Sequence, residues 1–186
     1  MARRRACAVS NRGRAHASVA TPEFTWMRIV VAAVGRLKPG PDRELAERYR
    51  DRAIKAGRAL GLRGPDVIEV KESRAREAKR RVTEEAVALN GAIPDDAIKV
   101  VLDSRGQNAS SDTFALRIRA WRDGGRQAVY FIIGGADGLA AGLLEAADRS
   151  FAFGSATWPH QLVRIMLMEQ LYRAMTILSG HPYHRD

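Results

Sequence analysis

From Met27 onward, apolar and polar positions fall into two alternating periods, short apolar runs and longer amphipathic stretches. IVVAAVG (Ile29–Gly35) is a β-branched run closed by glycine and reads as a buried strand. In PDRELAERYRDRAIKAGRALG, residues Leu45, Tyr49, Ala53, Ala56 and Leu60 recur at helical spacing. Pro41 suits the first turn of that helix and Gly61 its end. VIEV (Val67–Val70) predicts a second strand and EAKRRVTEEAVAL a second, heavily charged helix. IKVVLD (Ile98–Asp103) predicts a third strand, and SSDTFALRIRAWRDGG a third helix capped by Ser111 or Asp112. AVYFIIGG is the most strand-like stretch and ends in Gly134 and Gly135. A short helix near Leu139–Asp148, the strand FAF and a long helix from about Pro159 to Leu178 complete the series.

Strand and helix alternate about five times, which argues an α/β domain with a largely parallel sheet covered on both faces. No internal repeat, low-complexity tract or long linker divides the chain after Met27, so residues 27–186 read as one domain. Residues 1–26 look foreign to it, with five arginines, one acid (Glu23) and no amphipathic period. That composition is loosely transit-peptide-like, and a basic RNA-contacting arm is a second reading. The reading adopted is a start codon assigned too early, because Met27 opens directly onto a strand.

Charge sharpens the picture. The 186 residues carry 31 Lys and Arg against 21 Asp and Glu, a formal net charge of +10. Such an excess favours a polyanionic partner, nucleic acid or an acidic membrane surface. No apolar run approaches the roughly 20 residues that span a bilayer, so a soluble protein is expected. The single cysteine, Cys7, precedes the domain, which excludes a disulfide framework, a cysteine-ligated zinc site and a cysteine nucleophile within it.

Candidate chemistry gathers at strand ends. VYFIIGGADG places a glycine pair after a buried strand, where open α/β sheets bind ligands, although a strand followed by two glycines is commonly just a tight turn. Its spacing is neither GxGxxG nor a P-loop. LDSRG (Leu102–Gly106) repeats the theme, with Asp103 able to bind a ribose or an amino group, or to cap the next turn. In FGSATWPHQLVRIMLMEQLYRAM, the small residues Gly154, Ser155, Ala156 and Thr157 allow a ligand close to the backbone, and Pro159 suits a helix start. Along that helix Leu162, Ile165, Met166, Met168, Leu171, Tyr172 and Met175 cover more than one face, so it is fully buried or lies in a subunit interface. Arg164, Glu169 and Arg173 interrupt it, and an internal salt-bridge set is their plain reading. The tail GHPYHRD carries His181 and His184 in an HxxH spacing, without the HExxH pattern or an evident third ligand for a metal. Its alternative is a polar tail folded over a substrate, offering Tyr183, His184 and Arg185 as donors. Basic residues crowd the second helix region (Lys71, Arg74, Arg76, Lys79, Arg80, Arg81) and the third (Arg117, Arg119, Arg122, Arg126). Without aromatic interleaving or an RNP or KH signature, structured RNA held through phosphates fits better than a single-strand stacking platform.

Together IVVAAVGRLK, VVLDSRG, FIIGGADGL and above all ATWPHQLVRIMLMEQLYRAMTILSGHPYHRD resemble the bacterial ribosomal RNA large subunit methyltransferase H family, of the SPOUT class. The resemblance spans Met27–Asp186 and leaves the first 26 residues outside, in keeping with an early-assigned start. It implies a SPOUT-type α/β fold with a C-terminal trefoil knot, an exception to unknotted topology. It further implies a cytoplasmic homodimer that uses S-adenosyl-L-methionine and no metal. The implied reaction is N3-methylation of a pseudouridine in 23S ribosomal RNA, on the assembled 70S ribosome and away from any membrane. The methyl donor would be held by Leu102, Asp103, Gly135 and the loop Gly154, Ser155, Ala156, Thr157, Trp158 and Pro159. Arg173, Tyr183, His184 and Arg185 are the candidates for orienting the base, across the dimer interface or within one chain. GGADG stands where many relatives carry GGPEG, and GSATWP replaces a more aliphatic version. A cysteine-free domain suits attack by nitrogen and excludes methylation through a cysteine adduct of the pyrimidine. Two other readings compete: a non-catalytic ribosome-binding factor, and a metal-dependent hydrolase built on His181 and His184.

Overall fold

The structure is a computed structural model and describes residues 26–183. The expectations for the leader, Trp26 apart, and for His184 and Arg185 lie outside the described residues. Strands β1 (Met27–Val34), β2 (Leu62–Val70), β3 (Ile98–Asn108), β4 (Ala128–Ile133) and β5 (Arg149–Ala152) form one sheet in the order β2-β1-β4-β3-β5. Every pairing in it is parallel, from Met27↔Leu62 and Arg28↔Ala128 to Ile98↔Val129 and Val100↔Arg149.

Parallel strands need helical crossovers, which cover both faces and leave the central strands β1 and β4 almost wholly apolar. Odd positions of β1 (Met27, Ile29, Val31, Ala33) enter the core beneath α1 (Pro41–Gly57), α3 (Ser111–Asp123) and α5 (His160–Leu178). Even positions (Val30, Ala32, Val34) join Leu89 of α2 (Ala78–Ala92) and Leu143 of α4 (Ala141–Glu145) on the other face. The long apolar helix α5 lies against α1 and α3, and Ile165, Leu167, Met168, Leu171, Ala174 and Met175 are buried.

Three expectations change. Strand β2 begins at Leu62 and not at Val67, because the β1 ladder recruits Leu62 and Arg63 ahead of the irregular Gly64–Pro65. Helix α3 is capped by Ser110 and not by Ser111 or Asp112: its Oγ accepts the Thr113 N–H at 3.2 Å. LDSRG is no strand end. Strand β3 continues to Asn108, pairing Phe151 first with Leu102 and again with Gln107, so Asp103–Gly106 bulges out and returns. Gly106 permits the return, since a Cβ there would stand 2.8 Å from the Phe151 backbone.

Candidate active site

A cleft of about 180 Å³ opens at the carboxyl ends of β3, β4 and β5, at the edge where α/β sheets receive ligands. Leu102 and Asp103 enter it from the β3 bulge, Gly135 from the turn after β4, and Gly154, Ala156, Thr157 and Trp158 from the loop between β5 and α5. Ser155 and Pro159 belong to the same loop but do not line the cleft. The sequence reading missed Leu139, Phe151, Phe153 and His160 among the lining. His160 directly follows Pro159, so its place was readable once that proline was put at the helix start.

Each wall is fixed by local bonds. Asp103 accepts the Arg105 N–H and Nε at 2.9 Å each, and Nη2 at 3.1 Å. The Arg105 guanidinium beside it holds the Asp103 carboxyl below the usual carboxylate range, so it is anionic at neutral pH. Gly154 takes a positive φ of 95° and donates its N–H to Asn108 Oδ1 at 3.0 Å. The indole N–H of Trp158 donates to the Phe153 carbonyl at 3.1 Å, closing the loop on itself.

The GGADG turn is braced from behind by α2. Arg81 donates to both oxygens of Asp137, at 2.7 and 3.0 Å, which lowers the Asp137 pKa. One turn further along α2, the buried Glu85 accepts the Ser73 N–H through Oε1 and sets Oε2, which has no hydrogen-bond partner, behind Gly135. A Cβ on Gly135 would stand 2.8 Å from that oxygen and 3.1 Å from Val34 Cγ1. Gly134 lies equally close to the Gly138 carbonyl, at 2.6 Å from its own missing Cβ. Backbone therefore forms the cleft wall where a side chain has no room.

Among the described lining residues Asp103 is the one Asp, Glu, Lys or Arg, and its carboxylate is paired with Arg105, whose side chain is exposed outside the cleft lining. Phe151, Phe153 and Trp158 supply aromatic surface around it. A carboxylate beside aromatic rings offers acceptors for hydroxyl and amino groups and π faces for a cation.

The second candidate set lies elsewhere. Arg173 pairs with Glu169 one helical turn away, at 2.5 and 2.9 Å. Tyr183 folds back to donate its hydroxyl to the same carboxylate at 3.3 Å, with its ring 4.6 Å from Tyr172 and Arg173 over its face at 5.1 Å. Arg173 is about 20 Å along α5 from His160, at 1.5 Å per residue. Within one chain the structure thus brings the donor-site candidates together and leaves Arg173 and Tyr183 at the far end of α5. His181 is exposed, and among the described residues no group of three His, Cys, Asp or Glu side chains is placed to hold a metal.

Arg164 does not join the Glu169–Arg173 pair. It is 2% exposed and reaches Glu69 at 2.6 Å and the carbonyls of Val34 and Gly35 at 3.2 and 2.9 Å, because its face of α5 meets the ends of β1 and β2. Glu69 also accepts the Leu37 N–H, so α5 and the β1–α1 loop share one carboxylate.

A family model described as predicted SPOUT methyltransferase matches residues 27–184. The ribosomal RNA large subunit methyltransferase H of Rhodopseudomonas palustris (strain BisB18) is 58% identical over 159 residues, 86% of this chain and 99% of that one. Its counterpart from Nitrobacter hamburgensis (strain DSM 10229 / NCIMB 13809 / X14) is 57% identical over the same coverage. Among solved structures, a probable methyltransferase from Bordetella pertussis Tohama I aligns over 82% of this chain and 97% of its own, with 15% identity and a TM-score of 0.45.

Proposed function

The chain belongs to the SPOUT methyltransferase family, alongside the ribosomal RNA large subunit methyltransferase H proteins, and from that premise we propose that it methylates N3 of a pseudouridine in 23S ribosomal RNA, using S-adenosyl-L-methionine. The observation that carries the choice of donor is the cleft itself, which sets a carboxylate among aromatic rings and glycine backbone. Bound there, the donor supplies a methyl group on a cationic sulfonium. Asp103 offers a carboxylate for its hydroxyl or amino donors, and the aromatic rings favour the positive charge. Gly134 and Gly135 let it lie against backbone, while the 154–159 loop closes the other side. Leu102, Ser155 and Pro159 complete the proposed donor set.

The transfer is an in-line displacement in which the nitrogen lone pair forms the new bond to carbon, the carbon–sulfur bond breaks, and the imide proton leaves to water or a neighbouring base. Positioning matters more in such a step than a strong base. Arg173, Tyr183, His184 and Arg185 are the proposed positioning set for the RNA base. Since about 15 Å of helix separates Arg173 from Val163, the nearest cleft-lining residue of α5, the site is proposed to be composite, the tail of one subunit serving the cleft of its partner in a homodimer. The trefoil knot, the cytoplasmic location and action on the assembled ribosome belong to the same proposal.

Mass spectrometry of 23S ribosomal RNA from cells lacking the gene tests the reading. Loss of a methylated pseudouridine, restored by the gene, is expected; an unchanged signal overturns the assignment. Saturable S-adenosyl-L-methionine binding by the purified protein separates this enzyme from a ribosome-binding factor without catalysis.

A further inference from the structure

Because all five strands are parallel, the segments that follow them leave the sheet at one edge, the edge that holds the cleft. The segment after β1 carries Arg36 and Lys38; the segment after β2 carries Lys71, Arg74 and Arg76 and runs into Lys79 in the first turn of α2. All six are exposed, and none has a side-chain hydrogen bond or ion pair among the described residues. Elsewhere Arg28 pairs with Asp66, Arg43 with Glu47 and Arg80 with Glu84, while the exposed Arg48, Lys55, Arg58 and Arg119, which have no such partner, are spread over α1, the turn after it and α3. At the opposite edge, Arg122 binds Asp123, Arg126 the Asp96 carbonyl and Arg149 the Asp148 carbonyl, amid exposed Asp95, Asp96, Asp123 and Asp148. Unpaired positive charge is therefore densest in the two segments that leave β1 and β2 at the cleft edge.

The segment is also held still. The Ser73 N–H donates to Glu85, its hydroxyl donates to Glu84 at 2.5 Å, and the Ala75 N–H returns to the Ser73 hydroxyl at 3.2 Å. Arg81 donates to the carbonyls of Ala75 and Arg76 at 3.0 and 2.8 Å, while its remaining nitrogens bind Asp137 of the cleft turn. One guanidinium thus ties the basic segment to the cleft wall. The acids of the region are Glu72, which lies against Gly35 and 3.9 Å from His160, and Glu77, just ahead of α2.

We propose that Lys71, Arg74 and Arg76, flanked by Arg36, Lys38 and Lys79, form a rigid ledge that grips the phosphate backbone of the RNA substrate and sets its distance from the cleft. The proposal rests on the RNA methyltransferase reading above. Ordered cations without protein partners are ready to release phosphate counterions on contact, and their rigidity limits the entropy lost on binding.

The test uses 70S ribosomes from a strain lacking the gene and the triple variant Lys71→Ala, Arg74→Ala, Arg76→Ala. Its control is Arg48→Ala, Lys55→Ala, Arg58→Ala, three exposed cations of α1 and the turn after it, which removes the same charge away from the ledge. For the ledge variant, KM for ribosomes is expected to rise about tenfold, with kcat and S-adenosyl-L-methionine affinity within about twofold of wild type. The slope of log binding constant against log salt should become shallower by about 2, reflecting lost phosphate contacts. The control should keep the wild-type slope and KM. Equal effects in the two triples, or none in the first, overturn the ledge. Wild-type protein that binds ribosomes but transfers no methyl group overturns the enzymatic reading instead, and the binding slopes still judge the ledge.

Discussion

At neutral pH Tyr183 is a hydrogen-bond donor and not a base. Burial first, then its neighbours Tyr49 and Glu169, push its pKa up to about 12. A folded-state pKa above the unfolded value near 10 favours the protonated phenol. The stability it contributes is therefore complete below about pH 10 and lost as pH rises toward 12. Titration of tyrosinate absorbance should lose a late-ionising component in Tyr183→Phe; a late component unchanged by the substitution would remove the Tyr183–Glu169 contact from the account. Gly135→Ala makes a second prediction at this scale. Its methyl would press Glu85 and Val34, so either the carboxylate or the cleft wall must move. Overpacking of this kind costs about 1–3 kcal/mol, and calorimetry should find both lower stability and weaker S-adenosyl-L-methionine binding. The glycines stood out in the sequence because they follow an apolar run. Glu85 did not: on a helix of alternating charges it reads as one more solvated acid, and only the fold reveals that it faces inward.

Helices and strands were mostly legible where their hydrophobic period was long. The α1 and α5 patterns gave their boundaries to within a residue or two, apart from the last turn after Gly57, which tightens into a 3-10 turn (Arg58–Leu60) before Gly61. The two strand misses share one cause. A strand is extended by its neighbour's unpaired backbone, which leaves no mark on its own side chains: β1 recruits Leu62 and Arg63, and β5 draws Gln107 and Asn108 back into the ladder. At this scale Arg164 is the critical residue of α5. Burial lowers its pKa, Glu69 opposes that, and its Nε has no partner. Arg164→Ala should cost about 3 kcal/mol in urea unfolding, the low end for breaking a buried pair, because Glu69 remains 29% exposed. Arg164→Met, which fills the space without a charge, should cost less; the reverse ranking would show that the charge itself is what α5 needs.

The strand order β2-β1-β4-β3-β5 could not be read from the chain, since periodicity says which face is buried and not which strands are neighbours. For the same reason the sequence left open whether Arg173, about 15 Å of helix from the nearest cleft residue on α5, serves its own chain's cleft or its partner's. A composite dimer makes a prediction of its own. Tyr183→Ala and a cleft-blocking Gly135→Trp should each be inactive alone. After mixing and subunit exchange, about a quarter of wild-type activity should return, since half the dimers are mixed and each of those has one intact site. No recovery, with exchange verified by mass, would put tail and cleft of the same chain together. Arg164 also bears on how the molecule is made. Its charge is costly to bury before Glu69 and the end of β1 are in place, and β1 itself lacks its second neighbour until β4 has been synthesised. Synthesis from the amino end therefore leaves the last helix to dock onto a sheet whose five strands are already made, and a chain released before α5 is complete lacks both the cover for one face of that sheet and the His160 and Val163 wall of its cleft.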